Sequence, residues 1–541
     1  MRIWKIMPFV LWSIVSLTAT PSLSLEETTH RALNENIAQR TVVNFSLNEY
    51  VKSNLNLKDG VYTPLNGTND ENIVENKQVF QWLGYGGMQE DRPGSQSDYI
   101  FYRPTRSTNH FHNPLKQWTE AGLDDYFVVH RLGLSQVLWA QSLYQNVGGS
   151  WSWQDARRYF YIALTGKGPN GTVIAEKPEE REVYYAKTFR AIGQLMHLVQ
   201  DASVPEHVRN DIHVLPAYED AVETTRTLKT PIWDGWTANP ISFLPSILNI
   251  PTPREAEVPI SRIVDTDQYD QGHGYDLTKT ESSEIGISEY ANANFLSEDT
   301  MFTEDRAPSD PHYFPHPAVQ DTSLWLDTSN MRLYLMNTSG ADPVKHLATV
   351  GLLTYYRLKY FPQYNVMPRV GLDDKVYDEY ASKLIPRAVG YSAGLLQYFF
   401  RGQIDFRQSR TSPGGEIELT IINHSDDSLV KGEFELYYDA KAGDKEIRRR
   451  LKLGLSEVKD LPKDGTFVTT FTRPTDFFPG KENTYTLVYR GKLGNEEGAI
   501  IGRCKKLEYY RGCMVVYHKH MRRLFFMSHD QDGNEKISIL I

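Results

Sequence analysis

The sequence predicts a mainly α protein: a multi-helix domain followed by a small all-β, sandwich-like domain. From about residue 25 to 402, apolar residues recur at spacings of three and four, the period of an amphipathic helix. After TSPGG at 411–415 the register changes. GEIELTII, GEFELYY, GTFVTTF and NTYTLVYRG alternate apolar and polar residues between turn residues, the pattern of an antiparallel sheet. With 541 residues, 40% hydrophobic and 23% charged, the chain has the balance of an ordinary globular protein with room for two or three cores.

The elements follow in order. Residues 1–24 read as a leader for export, secreted or periplasmic. Arg2 and Lys5 precede the short apolar run Ile6–Leu17, and Ser22 and Ser24 offer a cleavage site, giving a mature start at Leu25. A dozen apolar residues are too few to span a bilayer. The helical domain, 25–402, opens with HRALNENIAQR behind the candidate caps Thr28 and Thr29. Helices are expected at 130–145 and 151–165. Another starts at Pro178 with an apolar stripe through Tyr185, Phe189, Ile192, Met196 and Val199, and is ended by Pro205. Gly193 on that helix would let another chain approach closely. Residues 220–340, rich in Pro, Asp, Ser and Thr, read as a long excursion with one helical piece, EIGISEYANANFL. Such a loop is often a lid or the wall of a cleft. Two more helices are expected, one from Asp342-Pro343 to Phe361 and one from Arg387 to Phe400. The sandwich-like domain covers 410–502. The basic, aromatic tail 503–541 has no assignable structure, and its HDQDGNEKI reads as a turn. Cys504 and Cys513 are the only cysteines, so a metal would be held by histidine and carboxylate, while an oxidising compartment permits their pairing.

A net charge of -10 argues against a protein that wraps duplex DNA. The chemistry concentrates in HLVQDASVPEHVRNDIH, His197–His213, which holds three of the fifteen histidines and two aspartates. On a helix His197 and Asp201 lie one turn apart on one face. Pro205 breaks the helix and His207 follows in the exit loop, with His213 and Glu219 further on. Imidazole nitrogen and carboxylate oxygen are zinc ligands. A lone His-x-x-x-Asp is more often a helix-surface hydrogen bond; the added histidines make a metal site an even alternative.

Three further segments extend the pattern: His30 in TTHRAL, Glu90 and Asp91 in GGMQEDRPG, and His110 and His112 in NHFHNP. With these the chain resembles the superfamily of zinc-dependent phospholipase C and single-strand-specific nucleases. In that superfamily an early histidine, an acidic residue, a His-Phe-Tyr-Asp-Pro segment, His-x-x-x-Asp-x-x-x-Pro-x-His and a final histidine and glutamate follow in this order. The resemblance spans roughly residues 25–220. It implies a phospholipase C-like helical domain and the metal ligands His30, Asp91, His110, His197, Asp201, His207, His213 and Glu219. Of the neighbouring acids Asp91 is preferred to Glu90. It also implies two or three zinc ions, the third less so because no tryptophan lies near Leu25. Asp91 and Asp201 take catalytic roles, Asp201 as a carboxylate bridging metals and Asp91 as a ligand or as the group that orients the attacking water. His112, where the family has tyrosine, is either a surface residue or an alternative ligand.

The implied activity is metal-assisted hydrolysis of a phosphodiester, with a phospholipid or other phosphodiester substrate and contact with a membrane surface. A single-strand nuclease or nucleotidase of the same superfamily is the alternative within hydrolases. A non-catalytic exported binding protein with a structural zinc is the rival outside them.

Overall fold

The computed structural model describes residues 25–69, 73–91, 106–124, 133–145, 149–212, 217–250, 258–269, 284–338, 342–360, 370–411, 416–476, 484–507, 514–518, 523–529 and 535–540. The expected leader, His213, Cys513 and most of HDQDGNEKI lie outside these residues.

The first helix, α1 (Glu27–Gln39), starts just before its candidate caps. Thr28 and Thr29 stand inside it, and their hydroxyls donate to the Glu223 carboxylate. A short hairpin, β1 (Thr41–Val42) and β2 (Phe45–Ser46), leads into α2 (Leu47–Leu55), capped by the Ser46 side chain. A second hairpin, β3 (Pro64–Thr68) with β4 (Val74–Gln78), precedes the apolar α3 (Val79–Gln89). Of the expected helix at 130–145 only α4 (Gln136–Trp139) forms among the described residues. The stretch 151–165 gives α5 (Trp153–Thr165), held at one end by a Ser152–Asp155 capping box and stopped at the other by left-handed Gly166.

The central helix is α6 (Pro178–Asp201). Pro178 sits at its first position, where a missing N–H costs nothing, with Glu179 and Glu180 in the positive first turn. The chain leaves it at Asp201, before Pro205. That proline does not end a helix. It opens a new single turn, α7 (Pro205–Val208), so His207 stands on a helical turn and not in a loop. Close packing of α6 on α3 depends on glycine. A Cβ on Gly193 would stand 2.1 Å from the Leu83 carbonyl oxygen, and one on Gly86 2.1 Å from that of Arg190. Gly193→Ala is therefore expected to lower stability by about 1–3 kcal/mol or more, read as a drop in the urea midpoint.

The excursion is more ordered than its composition suggests. It contains α8 (Ala217–Leu228), α9 (Thr230–Ala238) and α10 (Ile287–Asn294), the last inside the helical piece expected there. Then come β5 (Thr322–Asp327), β6 (Arg332–Asn337) and β7 (Val344–Val350). The helix expected from Asp342 begins only at α11 (Leu352–Tyr360), because VKHLATV, alternating and rich in β-branched residues, pairs with β6. With β8 (Val370–Gly371) these strands form an antiparallel sheet in chain order. The last helix, α12 (Asp374–Phe399), starts more than three turns before its expected Arg387, capped by Asp373, and carries Pro386 in its interior.

The β region holds β9 (Ile404–Thr411), β10 (Glu416–Asn423), β11 (Leu429–Ala442), β12 (Lys445–Leu451), β13 (Glu457–Leu461), β14 (Thr466–Thr472), β15 (Thr484–Leu493) and β16 (Glu496–Lys506). They make two antiparallel sheets, ordered β14-β10-β9 and β12-β11-β15-β16, with β13 beside β11. Alternate residues such as Ile417, Leu419 and Ile421 meet Leu436, Leu487 and Tyr489 in a core of their own. In the tail, β17 (Met514–His518), β18 (Arg523–His529) and β19 (Glu535–Leu540) form an antiparallel meander that the sequence did not reveal.

With 40% of residues helical and 26% in strands, the chain joins a helical part to β structure. The expectation of a mainly α protein understated the strands. The two parts are bolted together by buried charge. Glu496, at the start of β16, accepts hydrogen bonds from Trp153 Nε1, Arg157 and Arg401. Arg181 of α6 and Arg448 of β12 share Asp439.

Candidate metal centre

α1, α3, the segment after it, and α6 converge on one buried point. The side chains of His30, His110, His197, Asp201 and His207 are fully buried. Asp91, at the C-terminal end of α3, is half-buried.

Four donor atoms form a tight group. Asp91 Oδ1 lies 3.3 Å from His110 Nδ1 and 3.6 Å from His197 Nε2. Asp201 Oδ2 lies 2.8 Å from His110 Nδ1 and 3.0 Å from His197 Nε2, and the two ring nitrogens are 3.3 Å apart. The other oxygen of Asp201 points elsewhere, 3.1 Å from His30 Nε2. His207 Nδ1 approaches Asp201 Oδ2 at 3.7 Å, its ring stacked on Phe111. Yet neither oxygen of Asp201 accepts a hydrogen bond of proper geometry from the described residues, and Nε2 of His30 donates none. Buried imidazole nitrogens and carboxylate oxygens that converge this closely are the donor set of a cation site, and imidazole with carboxylate suits zinc.

The ring atoms pointing away from this group are held in turn. His30 Nδ1 meets Gln200 Oε1 and His197 Nδ1 meets the Gly87 carbonyl oxygen, each at 2.7 Å. Behind His110 Nε2, 3.6 Å away, lies Glu90. The bonds from Gln200 and Gly87 set which nitrogen of His30 and His197 faces the centre.

Glu90 itself is fixed by Arg106, whose Nη2 contacts both carboxylate oxygens, and by Trp139 Nε1. Burial opposes its charge, but Arg106 and His110 hold its carboxyl down at about 2. Glu90 thus turns to Arg106 and Trp139, while Asp91 Oδ1 lies within the four-donor group. Sequence reasoning missed Gln200 and Gly87. Gln200 stood in plain view beside Asp201, but only folding brings it to His30, 170 positions away.

Among the described residues the expected ligand Glu219 is not one of the four donors. Glu219 is buried in the first turn of α8, where its charge and that of Glu206 act on the Tyr218 hydroxyl. His213 lies outside the described residues. His112 corrects both of its expected alternatives. It is fully buried, and its nitrogens are taken by Ser135 Oγ at 2.7 Å and Asp265 Oδ2 at 2.8 Å. Burial pushes its imidazole down to about 4.

Without a cation the cluster is a proton trap. Burial disfavours the imidazolium of His197, but Asp201 and Asp91 outweigh it and push the group up to about 10. A histidine whose folded value lies above its unfolded 6.5 adds stability that is complete below that value and is lost as pH rises through 10. Metal-stripped protein should therefore lose stability between about pH 7 and 10, seen as a falling urea midpoint. Zinc-loaded protein should not, because zinc takes the neutral imidazole.

No protein-family model matches the chain, and no curated protein matches it. Among solved structures, the crystal structure of the Clostridium perfringens alpha-toxin from avian strain SWCP aligns over 97% of this chain and 100% of its own, with 11% identity and a TM-score of 0.25. The alpha toxin from Clostridium absonum aligns over 91% of this chain and 100% of its own, with 9% identity and a TM-score of 0.26. At these scores the functional reading rests on the site's own geometry.

Proposed function

We propose that the protein is an exported, zinc-dependent phosphoester hydrolase of the phospholipase C type, acting on a phosphodiester. One observation carries the reading. Of the six distances among Asp91 Oδ1, His110 Nδ1, His197 Nε2 and Asp201 Oδ2, five fall between 2.8 and 3.6 Å. Four ligands at 2.0–2.2 Å from a tetrahedral zinc stand roughly 3.4 Å apart.

Asp201 supports more than one ion, because its second oxygen faces His30 while the first faces the four-donor group. A structural zinc uses a closed set of four ligands. Six candidate side chains, Asp201 among them, exceed that need, which favours a catalytic centre over a staple. Zinc bound there supplies water of lowered pKa and neutralises phosphoryl charge. The chain's own residues do the rest. Asp201 would offer one oxygen to each side of the centre, while Gln200 and the Gly87 carbonyl fix the rings of His30 and His197. Asp91, the one cluster member only half-buried, is the group to orient an attacking water.

Export rests on the leader expected at residues 1–24; among the described residues no helix is long and apolar enough to cross a membrane. The decisive assay uses a phosphocholine ester and a single-stranded oligonucleotide in parallel, with and without chelator. Chelator-sensitive cleavage of the phosphocholine ester is the expected result. Cleavage of the oligonucleotide alone would move the assignment to a nuclease, and cleavage of neither by zinc-loaded protein would leave only the staple.

A further inference from the structure

His112 was the residue of the NHFHNP motif that the metal centre did not absorb. Its surroundings are specific. Its backbone N–H donates to the His207 carbonyl oxygen at 3.0 Å, tying the segment that carries His110 to the turn that carries His207. Its side chain is gripped at both nitrogens. Asp265 Oδ2 accepts from Nε2, and the same oxygen accepts from Trp118 Nε1 at 2.7 Å. The Asp267 N–H donates to the other oxygen at 2.8 Å, so the carboxylate is surrounded by donors. That leaves Nδ1 as the acceptor for the Ser135 hydroxyl.

Ser135 stands at the N-cap of α4, where a serine hydroxyl would ordinarily bond the helix's own N–H groups. It makes no such bond. The hydroxyl is spent on His112 instead. Ser135, His112 and Asp265 are all buried, and come from three distant parts of the chain.

We infer that His112, clamped between Ser135 and Asp265, is a positioning residue that sets how far the His110 segment stands from His207, and so the geometry of the metal centre. This rests on the reading of that centre as a zinc site. It also gives the excursion a role other than a lid. Asp265 anchors it behind the centre, and Arg209 does the same two residues after His207, donating to Thr300, to Asn292 O and to His316 O.

A merely structural hydrogen bond would change stability and leave the metal's environment alone. The test therefore reads the metal. Wild type, Ser135→Ala and Asp265→Asn are loaded with Co2+, their visible absorption recorded, and their zinc affinities measured by competition with a chelator. Ser425→Ala is the control; it removes a buried hydroxyl that among the described residues bonds only Gln403, in the β region.

Both site variants are expected to shift the cobalt bands and weaken zinc about 10- to 100-fold, as outer partners of metal ligands do. Ser425→Ala should lower the melting temperature with an unchanged spectrum. Ser135→Ala removes one hydrogen bond and keeps the side chain's volume nearly unchanged, so it reports even if Asp265→Asn misfolds. Wild-type cobalt bands and zinc affinity in Ser135→Ala would overturn the inference while leaving the zinc site standing. A wild type that binds neither metal would overturn both.

Discussion

Replacing Asp201 by Asn should abolish most of the zinc binding and lower hydrolysis by about a thousandfold. The two oxygens of Asp201 face different histidines, His30 on one side and His110 with His197 on the other. The amide keeps the shape but removes the negative charge and turns one acceptor into a donor aimed at imidazole nitrogens. Loss of a bridging ligand forfeits several kcal/mol of transition-state stabilisation, and ~4 kcal/mol is about three powers of ten in rate. Zinc content by elemental analysis and initial rates on the phosphocholine ester check both halves. A variant with full zinc and near-normal rates would show that the carboxylate is not a bridge. The fold itself should survive, since asparagine fills the same volume and the charge lost is one that His110 and His197 can match by giving up protons.

The second large effect lies far from the centre. Glu496→Ala is expected to destabilise the protein by about 3–5 kcal/mol, the cost of breaking a buried ion pair from one side. Glu496 is 1% exposed and accepts from Arg157 at 2.8 and 3.0 Å, from Arg401 at 2.6 Å and from Trp153 at 2.9 Å. Without it the only hydrogen-bond acceptors left to the Arg157 guanidinium among the described residues are the backbone carbonyls of Phe399 and Ile500, beside the ring faces of Trp153 and Phe399. Because Arg157 belongs to α5 and Glu496 to β16, the loss falls on the union of the helical and β parts. Urea unfolding followed by circular dichroism and tryptophan fluorescence measures it. A change below ~1 kcal/mol would mean that apolar packing, such as Leu164 against Gly502, holds the junction by itself.

What was legible in the sequence divides along physical lines. Long, strongly periodic segments were read well. Trp153–Thr165 and Pro178–Asp201 carry caps, acidic first turns and apolar stripes that all agree. The alternating strands of the β region were equally plain. Errors came where local signals compete. Asp342-Pro343 is a good helix start, but tertiary pairing with β6 turned the next residues into a strand. Pro205 signals a helix end, yet proline also suits a first turn, and here it opens one.

At the site, the spacing of His197 and Asp201 gave the core, because i,i+4 geometry is local. Asp91, His110 and His30 came only from order along the chain and the family resemblance. The partners that fix the rings, Gln200 and the Gly87 carbonyl, act through contacts up to 170 positions apart that no local pattern encodes. His112 is the sharpest case. A histidine beside a ligand looks like a ligand until Ser135 and Asp265 are found at its two nitrogens.

Whether the cluster around Asp201 holds zinc is decided by elemental analysis of the purified wild-type protein. Two or three zinc ions per chain are expected, removed by chelator and restored by added zinc. A stably folded protein that carries no zinc and takes up none would contradict this expectation.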